Sequence, residues 1–432
     1  MTIELSAGDA MARTPLSRSD MKTLALASLG GALEFYDFIV AVFFTKTLAA
    51  VFFPHDSPEW LTQLQVFCIF AAGYLVRPIG GVVFAHFGDR IGRKKMFSLG
   101  LFLMAFPTLL IGLLPDYGAA GVAAPLLFLA CRLMQGLSVG GEVPGAWIFC
   151  AEHVPKNRVG FAAGLLMAGL CVGILIGALT AKILSAAMSA EDLVAWGWRL
   201  PFLVGGVFGL ISVYLRKYLQ ETPVFEALRE RREHDPHLPI SQVFARFKSR
   251  VAVSLAATWV FSGVFVVYFL YLPTYLQAQW KLPAAEVFTA NCWAIFLLIL
   301  GSVAAGWLAD FVGAKRAYAA GGALMFLLAA ALASTLRDGD PRFLQLYALG
   351  GFLIGTITLS PYMIIRSFPP QVRFTGFALS YNTAYAIVGG TAPPAMAALV
   401  TQPGFVLAPF HYVMALSLLG AAIGWIWRPA PE

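Results

Sequence analysis

The sequence predicts an all-α membrane protein with twelve transmembrane helices in two six-helix halves. The chain of 432 residues is 59% hydrophobic and only 12% charged, whereas about a quarter of the residues in soluble domains are charged. Twelve apolar runs have the length of about 20 residues that crosses roughly 30 Å of hydrocarbon. A charged turn after the second run, residues 85–95, returns in degraded form at residues 306–316. This repeat indicates that the chain consists of two related halves.

The apolar runs and the polar stretches between them predict the order of the elements. The predicted helices cover roughly 23–53, 61–87, 95–114, 122–152, 159–185, 199–219, 251–279, 286–311, 317–336, 342–366, 375–400 and 408–428. The N-terminal half is therefore 23–219 and the C-terminal half 251–428. The polar stretch 220–250 is interpreted as a cytoplasmic linker that carries amphipathic helix, and 1–22 and 429–432 as cytoplasmic tails. The first run is too long and too acidic for a signal peptide, so we expect it to remain as a membrane helix.

The basic residues predict the orientation of the chain. Most of the 30 Lys and Arg residues lie in tails, loops and helix ends on the side of the amino terminus. The loops on the other side hold Arg199, Lys281, Arg337 and Arg342. The positive-inside rule places both termini in the cytoplasm of a multi-pass protein of the cell (inner) membrane. Because topology explains the net charge of +7, no nucleic-acid partner is expected.

Two short motifs repeat between the halves. Asp89-x-x-Gly92 recurs as Asp310-x-x-Gly313, and the Pro155–Gly160 segment recurs as Pro370–Gly376 with one residue inserted. Transporters built from parallel repeats place the substrate site at the interface of the halves, near the middle of the membrane. We expect the same arrangement here.

A set of motifs runs through nearly the whole chain. They are Glu34-Phe35-Tyr36-Asp37-Phe38, Arg77-Pro78-Ile79-Gly80-Gly81, Gly88-Asp89-Arg90-Ile91-Gly92-Arg93-Lys94, Arg132-x-x-Gln135-Gly136, Gly140-Gly141-Glu142, Glu221-Thr222-Pro223-Val224-Phe225, Tyr271-Leu272-Pro273-Thr274-Tyr275, Val372-Arg373-x-Thr375-Gly376 and Tyr381-Asn382. On these residues the sequence resembles the major facilitator superfamily, and within it the metabolite:proton symporter family. That family includes carriers of citrate, oxoglutarate, other dicarboxylates, shikimate, and proline or betaine. The resemblance implies the major facilitator fold and transport by alternating access.

The repeated turn is expected to belong to a cytoplasmic gate. Gly88 and Gly92 permit tight backbone turns, and Asp89 can pair with basic residues or cap the amides of the next helix. The resemblance implies a charge latch that breaks as the carrier changes face, and a plain positive-inside loop is the alternative. The expected gate residues are Asp89, Arg90, Arg93, Arg158, Asp310 and Arg373.

The two copies of the turn are not equal. The second copy has Phe311 and Ala314 where the first has Arg90 and Arg93, and the first has Ala85 where the family places a glycine. The second turn therefore loses part of the charge network, and its role in gating is less secure.

Acidic residues inside the first helix are candidates for proton coupling. Glu34 and Asp37 are three residues apart and share one helix face. Counting about 1.5 Å of helix length per residue places Asp37 near the middle of the first helix and Arg132 in the central to outer part of the fourth. A carboxylate whose basic partner leaves changes its affinity for protons. Our hypothesis is that Asp37 carries the proton, Arg132 modulates it and Glu34 assists, while a fixed ion pair is the alternative.

The substrate site is less defined in the sequence. Weak candidates for binding substrate are Lys46, Gln135, Tyr271, Tyr381 and Asn382. Lys46 has the alternative of extending toward the membrane interface. Arg77 and Glu142 are interpreted as helix-packing charges near the inner gate. Gly169, Gly173 and Gly177 form a face for close helix contact, and no proline follows Gly173 or Gly177, which argues against a drug exporter.

The leading hypothesis is proton-coupled symport of a small organic anion, such as a di- or tricarboxylate. The alternatives are uptake of a zwitterionic osmolyte, which the short tail after the last helix disfavours, export of a siderophore-like or amphipathic compound, and a non-transporting membrane sensor. The sequence has no GxxxxGK[ST] or HExxH motif, so no enzyme is expected. No cofactor or metal is expected, the proton being the coupling ion, and the five cysteines show no metal or disulfide spacing. The expected partners are a small-molecule substrate and the lipid bilayer, and a monomer is expected to suffice.

Overall fold

The computed structural model describes residues 15–54, 56–230, 243 and 245–430. Within these residues the chain forms helices joined by turns and loops, and ten of the helices are long and apolar enough to cross a membrane. Together with two further helices, numbered 2 and 11 below, they form the twelve spans that the apolar runs predict. The predicted fold class is confirmed.

The first half contains six spans, and two of them are interrupted. Span 1 consists of Arg18–Phe43 and Thr45–Phe52, span 2 of Glu59–Leu75 and Arg77–Ile91, span 3 of Arg93–Leu113, span 4 of Ala123–His153, span 5 of Val159–Ala187 and span 6 of Arg199–Leu215. A helix at Pro223–Glu230 follows in the predicted linker. Most of the rest of the predicted linker, residues 231–242, lies outside the described residues.

The second half repeats this plan. Span 7 consists of Lys248–Phe265, a π-helical segment Val266–Tyr271 and Leu272–Gln279; span 8 is Ala284–Val312, span 9 Ala314–Arg337, span 10 Phe343–Ile357 with Ser360–Ile365, span 11 Arg373–Leu399 and span 12 Ala408–Ile426. We call the end of the bundle where spans 1, 3 and 5 begin the linker face. The opposite end is the far face.

Prolines explain the interruptions in the middle of spans 2 and 7. Pro78 has no amide hydrogen for the carbonyl of Tyr74, and span 2 breaks just before it, at Val76. Pro273 likewise leaves the carbonyl of Phe269 without its helical donor. Nδ2 of Asn291 on span 8 donates to that carbonyl at 3.3 Å. The irregular backbone is therefore satisfied by a neighbouring helix, as a membrane interior requires.

The repeated turns use glycine where the backbone needs it. Gly92 has φ of 117° and Gly313 has φ of 90°, values that side chains other than glycine rarely adopt. The prediction of a tight turn at Gly92 is confirmed. The same prediction for Gly88 is wrong, because Gly88 lies inside the helix of span 2. A side chain at Gly88 would meet the ring of Phe374 on span 11, with 2.5 Å between the added Cβ and that ring.

The small-residue face of span 5 packs as the sequence predicts. A Cβ atom at Gly173 would lie 1.8 Å from the carbonyl oxygen of Ala32 on span 1, so the two backbones touch through this glycine. Span 5 also packs along span 8 of the other half. It therefore joins the helix that carries Glu34 and Asp37 to the second half.

Candidate functional site

A cavity lies between the two halves at the centre of the bundle. It is lined by residues of spans 1, 2, 4, 5, 7 and 11, among them Glu34, Tyr74, Arg77, Phe265 and Tyr385. The empty volume is about 470 Å³, but the centre of a water molecule fits in only about 30 Å³ of it. That space suits one or two waters. The central cavity is therefore narrow in this structure.

The cavity holds one buried acid and one buried base. Glu34 is 1% exposed and Arg77 is 3% exposed. From the sequence, Arg77 is expected near the inner gate as a packing charge; the structure instead places it on the wall of the central cavity, where it packs against tyrosine rings. Glu34, expected to assist coupling, lines the same cavity.

Asp37 lies in a polar chain that leads to Arg132. The Thr108 hydroxyl on span 3 donates to Oδ2 of Asp37 at 2.9 Å and accepts from Nε2 of Gln135 at 2.7 Å. Nη1 of Arg132 donates to Oε1 of Gln135 at 2.9 Å. The structure thus brings Asp37 and Arg132 into one network, with Thr108 and Gln135 between them. Gln135, expected to contact substrate, belongs to this chain instead of the cavity wall.

The second oxygen of Asp37 faces span 6. Oδ1 has no hydrogen-bond partner within the described part of the chain, and a Cβ at Gly205 would lie 2.3 Å from it. The absence of a side chain at Gly205 therefore leaves room for the carboxylate. Asp37 itself is 2% exposed, so a change in its charge is felt in a medium of low dielectric constant.

The linker face carries a buried cluster of charges that joins the halves. We call Asp89, Arg93, Glu152 and Arg373 the latch cluster. Glu152 forms ion pairs with Arg93 and, at 2.9 Å, with Nη1 of Arg373 in the other half. Arg93 lies 3.7 Å from Asp89 and donates to the carbonyl of Pro370 at 2.9 Å. The side chains of Asp89, Arg93 and Glu152 are at most 2% exposed.

Each repeated aspartate caps a helix of the opposite half. Oδ2 of Asp89 accepts from the amide and the hydroxyl of Thr375, at 3.2 and 3.0 Å, where span 11 begins. Asp310 accepts from the amides of Gly160 and Phe161, both at 2.8 Å, where span 5 begins. The first amides of a helix lack partners within it, and a carboxylate there is favoured by the helix dipole. From the sequence, Asp89 is expected to cap the next helix of the chain, whereas the helix that it caps belongs to the other half.

The other predicted gate and substrate residues are distributed over several spans. Arg90 is exposed, and Arg158 is half-buried just before span 5. Lys46 is exposed on span 1 and is absent from the described cavity wall. Asn382 donates to the carbonyl of Gly140 at 2.6 Å and so joins spans 4 and 11. Tyr271 stacks on Tyr275 beside the cavity residue Leu270.

Tyrosine rings surround the guanidinium of Arg77. Cζ lies 5.5 Å from the ring centroid of Tyr74, 6.0 Å from that of Tyr381 and 4.8 Å from that of Tyr385. These distances are in the range of cation–π contacts. Tyr381, a substrate candidate from the sequence, is thus close to the cavity through its contact with Arg77.

Sequence reasoning missed several buried polar residues. Thr108 is a single hydroxyl in an apolar run, and Glu152 ends the predicted fourth helix, where it looked like part of a charged loop. Arg216 was counted only as a basic residue of the linker side. It is 2% exposed, its Nη2 lies 2.7 Å from Oε1 of Glu142, and its Nη1 donates to the carbonyl of Phe97. Glu142 is therefore a packing charge, as predicted, with Arg216 as its partner.

Sequence comparison finds a matching family model and several relatives of this chain among membrane transporters. A family model described as Major Facilitator Superfamily matches residues 29–300. The putative proline/betaine transporter of Staphylococcus aureus (strain COL) is 33% identical over 92% of this chain and 86% of that protein. The inner membrane metabolite transport protein YhjE of Escherichia coli (strain K12) is 32% identical over 89% of this chain and 88% of that protein. The glycine betaine/proline/ectoine/pipecolic acid transporter OusA of Dickeya dadantii (strain 3937) is 30% identical over 93% and 82%.

Solved structures show the same fold at low identity. The proton:xylose symporter XylE bound to 6-bromo-6-deoxy-D-glucose superimposes with a TM-score of 0.80 at 16% identity, over 94% of this chain and 95% of that chain. The transporter FucP in its outward conformation superimposes with a TM-score of 0.70 at 16% identity, over 96% of this chain and 100% of that chain. At this identity, the similarity to these two structures shows the fold alone.

Proposed function

The chain belongs to the Major Facilitator Superfamily, and we propose that it is a proton-coupled importer of a small zwitterion such as proline or a betaine. The fold and the relatives make it a membrane transporter and not an enzyme. The observation that carries the proposed substrate class is the similarity over 92% of the chain to proteins named for proline and betaine transport. The expectation of a zwitterion, held second to an organic anion on the sequence, is therefore preferred.

The charged residues of the cavity also favour a zwitterion over an organic anion as the substrate. Arg77 offers a positive charge to a carboxylate, but Glu34 lines the same cavity. A dicarboxylate would bring a second negative charge toward Glu34, and like charges in a buried site cost several kcal/mol. A zwitterion presents one charge of each sign and meets one buried charge of each sign.

Asp37 is the proposed proton carrier. The Thr108 oxygen is 2.9 Å from Oδ2 of Asp37 and also 2.9 Å from the carbonyl of Met104, yet a hydroxyl has a single proton to donate. When Asp37 is ionised, Thr108 donates to it. When Asp37 is protonated, Asp37 donates to Thr108, whose hydroxyl turns to Met104. Both protonation states are therefore hydrogen-bonded, and Arg132 senses the change through Gln135.

The linker face is proposed to be cytoplasmic in the bacterial inner membrane. The positive-inside rule favours this orientation, and the described hydrogen bonds between the halves join residues of the linker face and the middle of the bundle. In this orientation the closed latch cluster blocks the path from the cavity to the cytoplasm. Release of substrate to the cytoplasm then requires the latch cluster to open.

Purified protein in liposomes tests the proposed function. With an imposed gradient, alkaline inside, labelled glycine betaine or proline is expected to accumulate about tenfold per pH unit if one proton accompanies each molecule, because one pH unit corresponds to 1.36 kcal/mol. Citrate and succinate serve as comparison substrates and are expected to show no accumulation. Accumulation of citrate or succinate alone would restore the organic-anion hypothesis, and movement of neither substrate class would contradict both hypotheses.

Thr108 supplies a matched pair of variants for the coupling network. Thr108→Val keeps the shape but removes the hydroxyl, so proton-driven uptake is expected to slow by about tenfold, as a lost hydrogen bond to a buried charge is worth about 1.5–3 kcal/mol. Thr108→Ser keeps the hydroxyl and is expected to restore most of the rate. Initial uptake rates at equal amounts of protein measure both. Equal rates for Val and Ser variants would exclude the hydroxyl from coupling.

A further inference from the structure

Glu34 and Arg77 are buried charged residues, and some of their polar atoms lack a hydrogen-bond partner among the described residues. Oε1 of Glu34 and both Nε and Nη2 of Arg77 have no hydrogen-bond partner within the described residues. No ion pair joins the two side chains in that part of the chain, although both line the central cavity. The proposed coupling network uses Asp37 and Thr108 and leaves these atoms unused. Burial of unsatisfied charge is costly in a membrane protein and marks a site for a ligand.

The aromatic groups around these charges come from both halves. Tyr74 lies on span 2 of the first half, whereas Tyr381 and Tyr385 lie on span 11 of the second. The rings of Tyr381 and Tyr385 are 4.7 Å apart between centroids, and Phe261 packs edge-on against Tyr385 at 6.0 Å. Phe265 completes the second-half side of the cavity wall. The ring faces are therefore held in place by aromatic neighbours on spans 7 and 11.

The recognition of a fully methylated ammonium group needs this kind of surface. Such a group has no N–H to donate, so hydrogen-bond acceptors alone cannot hold it. Aromatic faces attract it through the ring quadrupole, and a desolvated setting strengthens the attraction. A carboxylate nearby adds a counter-charge. Tyr74, Tyr385 and Glu34 supply both elements on the wall of one cavity.

We propose that the cavity contains a subsite for the ammonium group of the substrate, formed by Glu34 with the faces of Tyr74 and Tyr385. The Arg77 guanidinium contacts these rings in the present structure and moves off them to bind the carboxylate of the substrate. This inference rests on the proposed function and adds the side chains that select the substrate. The present cavity admits the centre of a water molecule in only about 30 Å³. Tyr74 and Tyr385 belong to different halves, so separation of the halves widens the subsite. Closure around a bound zwitterion brings the two rings together on its methyl groups.

The subsite is tested by exchange of labelled glycine betaine in liposomes without a proton gradient, which separates binding from coupling. Tyr385→Leu is expected to raise the KM for glycine betaine by about tenfold, and Tyr385→Phe, which keeps the ring face, is expected to recover most of that loss. Tyr214→Leu is the matched control, since Tyr214 is 59% exposed on span 6. Its KM is expected to equal that of the parent protein.

Glu34→Gln gives a second test that does not depend on an aromatic substitution. It is expected to raise the KM for glycine betaine by about tenfold and to make succinate a stronger competitive inhibitor, because the repulsion by Glu34 is removed. If the parent protein exchanges glycine betaine but neither Tyr385→Leu nor Glu34→Gln changes its KM, the subsite is refuted while the proposed function stands. If the parent protein exchanges no zwitterion, the proposed function fails and the subsite fails with it.

Discussion

Asp37→Asn is expected to abolish uphill accumulation of substrate while substrate exchange continues. Asparagine is neutral, as protonated Asp37 is, and its amide nitrogen in the place of Oδ2 donates to the Thr108 oxygen, which lies 2.9 Å from Oδ2 of Asp37, so the local geometry is preserved. Asparagine neither takes up nor releases a proton in this range of pH. The carrier is thereby held in the equivalent of its protonated state, and its conformational cycle loses its link to the gradient.

The measurement compares two assays on the same liposomes. With a gradient of one pH unit, the ratio of internal to external substrate is expected to fall from about ten to about one. Exchange of labelled against unlabelled substrate, which needs no net proton movement, is expected to remain measurable. Asp116→Asn is the matched control, because Asp116 is exposed and caps a short helix at the far face. Full accumulation by Asp37→Asn would remove Asp37 from the coupling step.

Accumulation lost together with exchange would have a different meaning. It would indicate that the charge of Asp37 is needed to hold the structure, which is the fixed-pair alternative. Asp37 is 2% exposed and its Oδ1 faces Gly205, so an asparagine that turned its amide nitrogen toward Gly205 would have little room. A thermal unfolding curve of the variant separates this outcome from a specific loss of coupling.

The sequence predicted the twelve spans because each span carries its own signal. An apolar run of sufficient length has few alternatives to a membrane helix. Pro78 and Pro273 each lack the amide hydrogen that a continuous helix needs, so each marks an interruption of its span. These signals are local. The start of span 1 at Arg18, earlier than the predicted start at 23, shows the usual uncertainty at helix ends.

The site was predicted only where the informative residue was itself unusual. Asp37 and Arg132 stand out as charges inside apolar helices, whereas Thr108, which lies between them, does not. Arg77 was noticed but placed wrongly, since its depth in the sequence gives no information about the direction of its side chain after the break at Val76. Nothing in the sequence around Tyr385 identifies it as a residue of the cavity. Contacts between spans far apart in the chain decide the role of each of these residues.

Glu152→Gln is expected to shift the carrier toward the state that is open at the linker face. Oε1 of Glu152 is paired with both Arg93 and Arg373, and the side chain of Glu152 is 1% exposed. Removal of its charge leaves the buried guanidinium of Arg93 and the partly buried guanidinium of Arg373 with less compensation. Breaking a buried ion pair from one side costs about 3–5 kcal/mol. A shift of about 3 kcal/mol in the balance between closed and open states is roughly a hundredfold.

Spin labels measure this shift directly. The five cysteines are first replaced, and labels are attached at Lys95→Cys in the first half and Lys315→Cys in the second, both exposed at the linker face. Distance distributions between the labels are expected to gain a longer component in Glu152→Gln. Asp340→Asn breaks an ion pair of 2.6 Å with Arg342 at the far face, where the arginine is 74% exposed, and an exposed pair contributes little.

The comparison of these two variants decides whether burial gives the latch cluster its effect. Asp340→Asn is expected to leave the distances unchanged, because water replaces the lost partner at the surface. In Glu152→Gln the Arg93 guanidinium, whose side chain is 2% exposed, is reached by water only when the halves separate, so separation is the way in which Arg93 regains solvation. A distance distribution that is the same in Glu152→Gln as in the parent protein would mean that the helix caps at Asp89 and Asp310 close the linker face without the ion pairs of Glu152. The two caps would then be the elements that a conformational change must break.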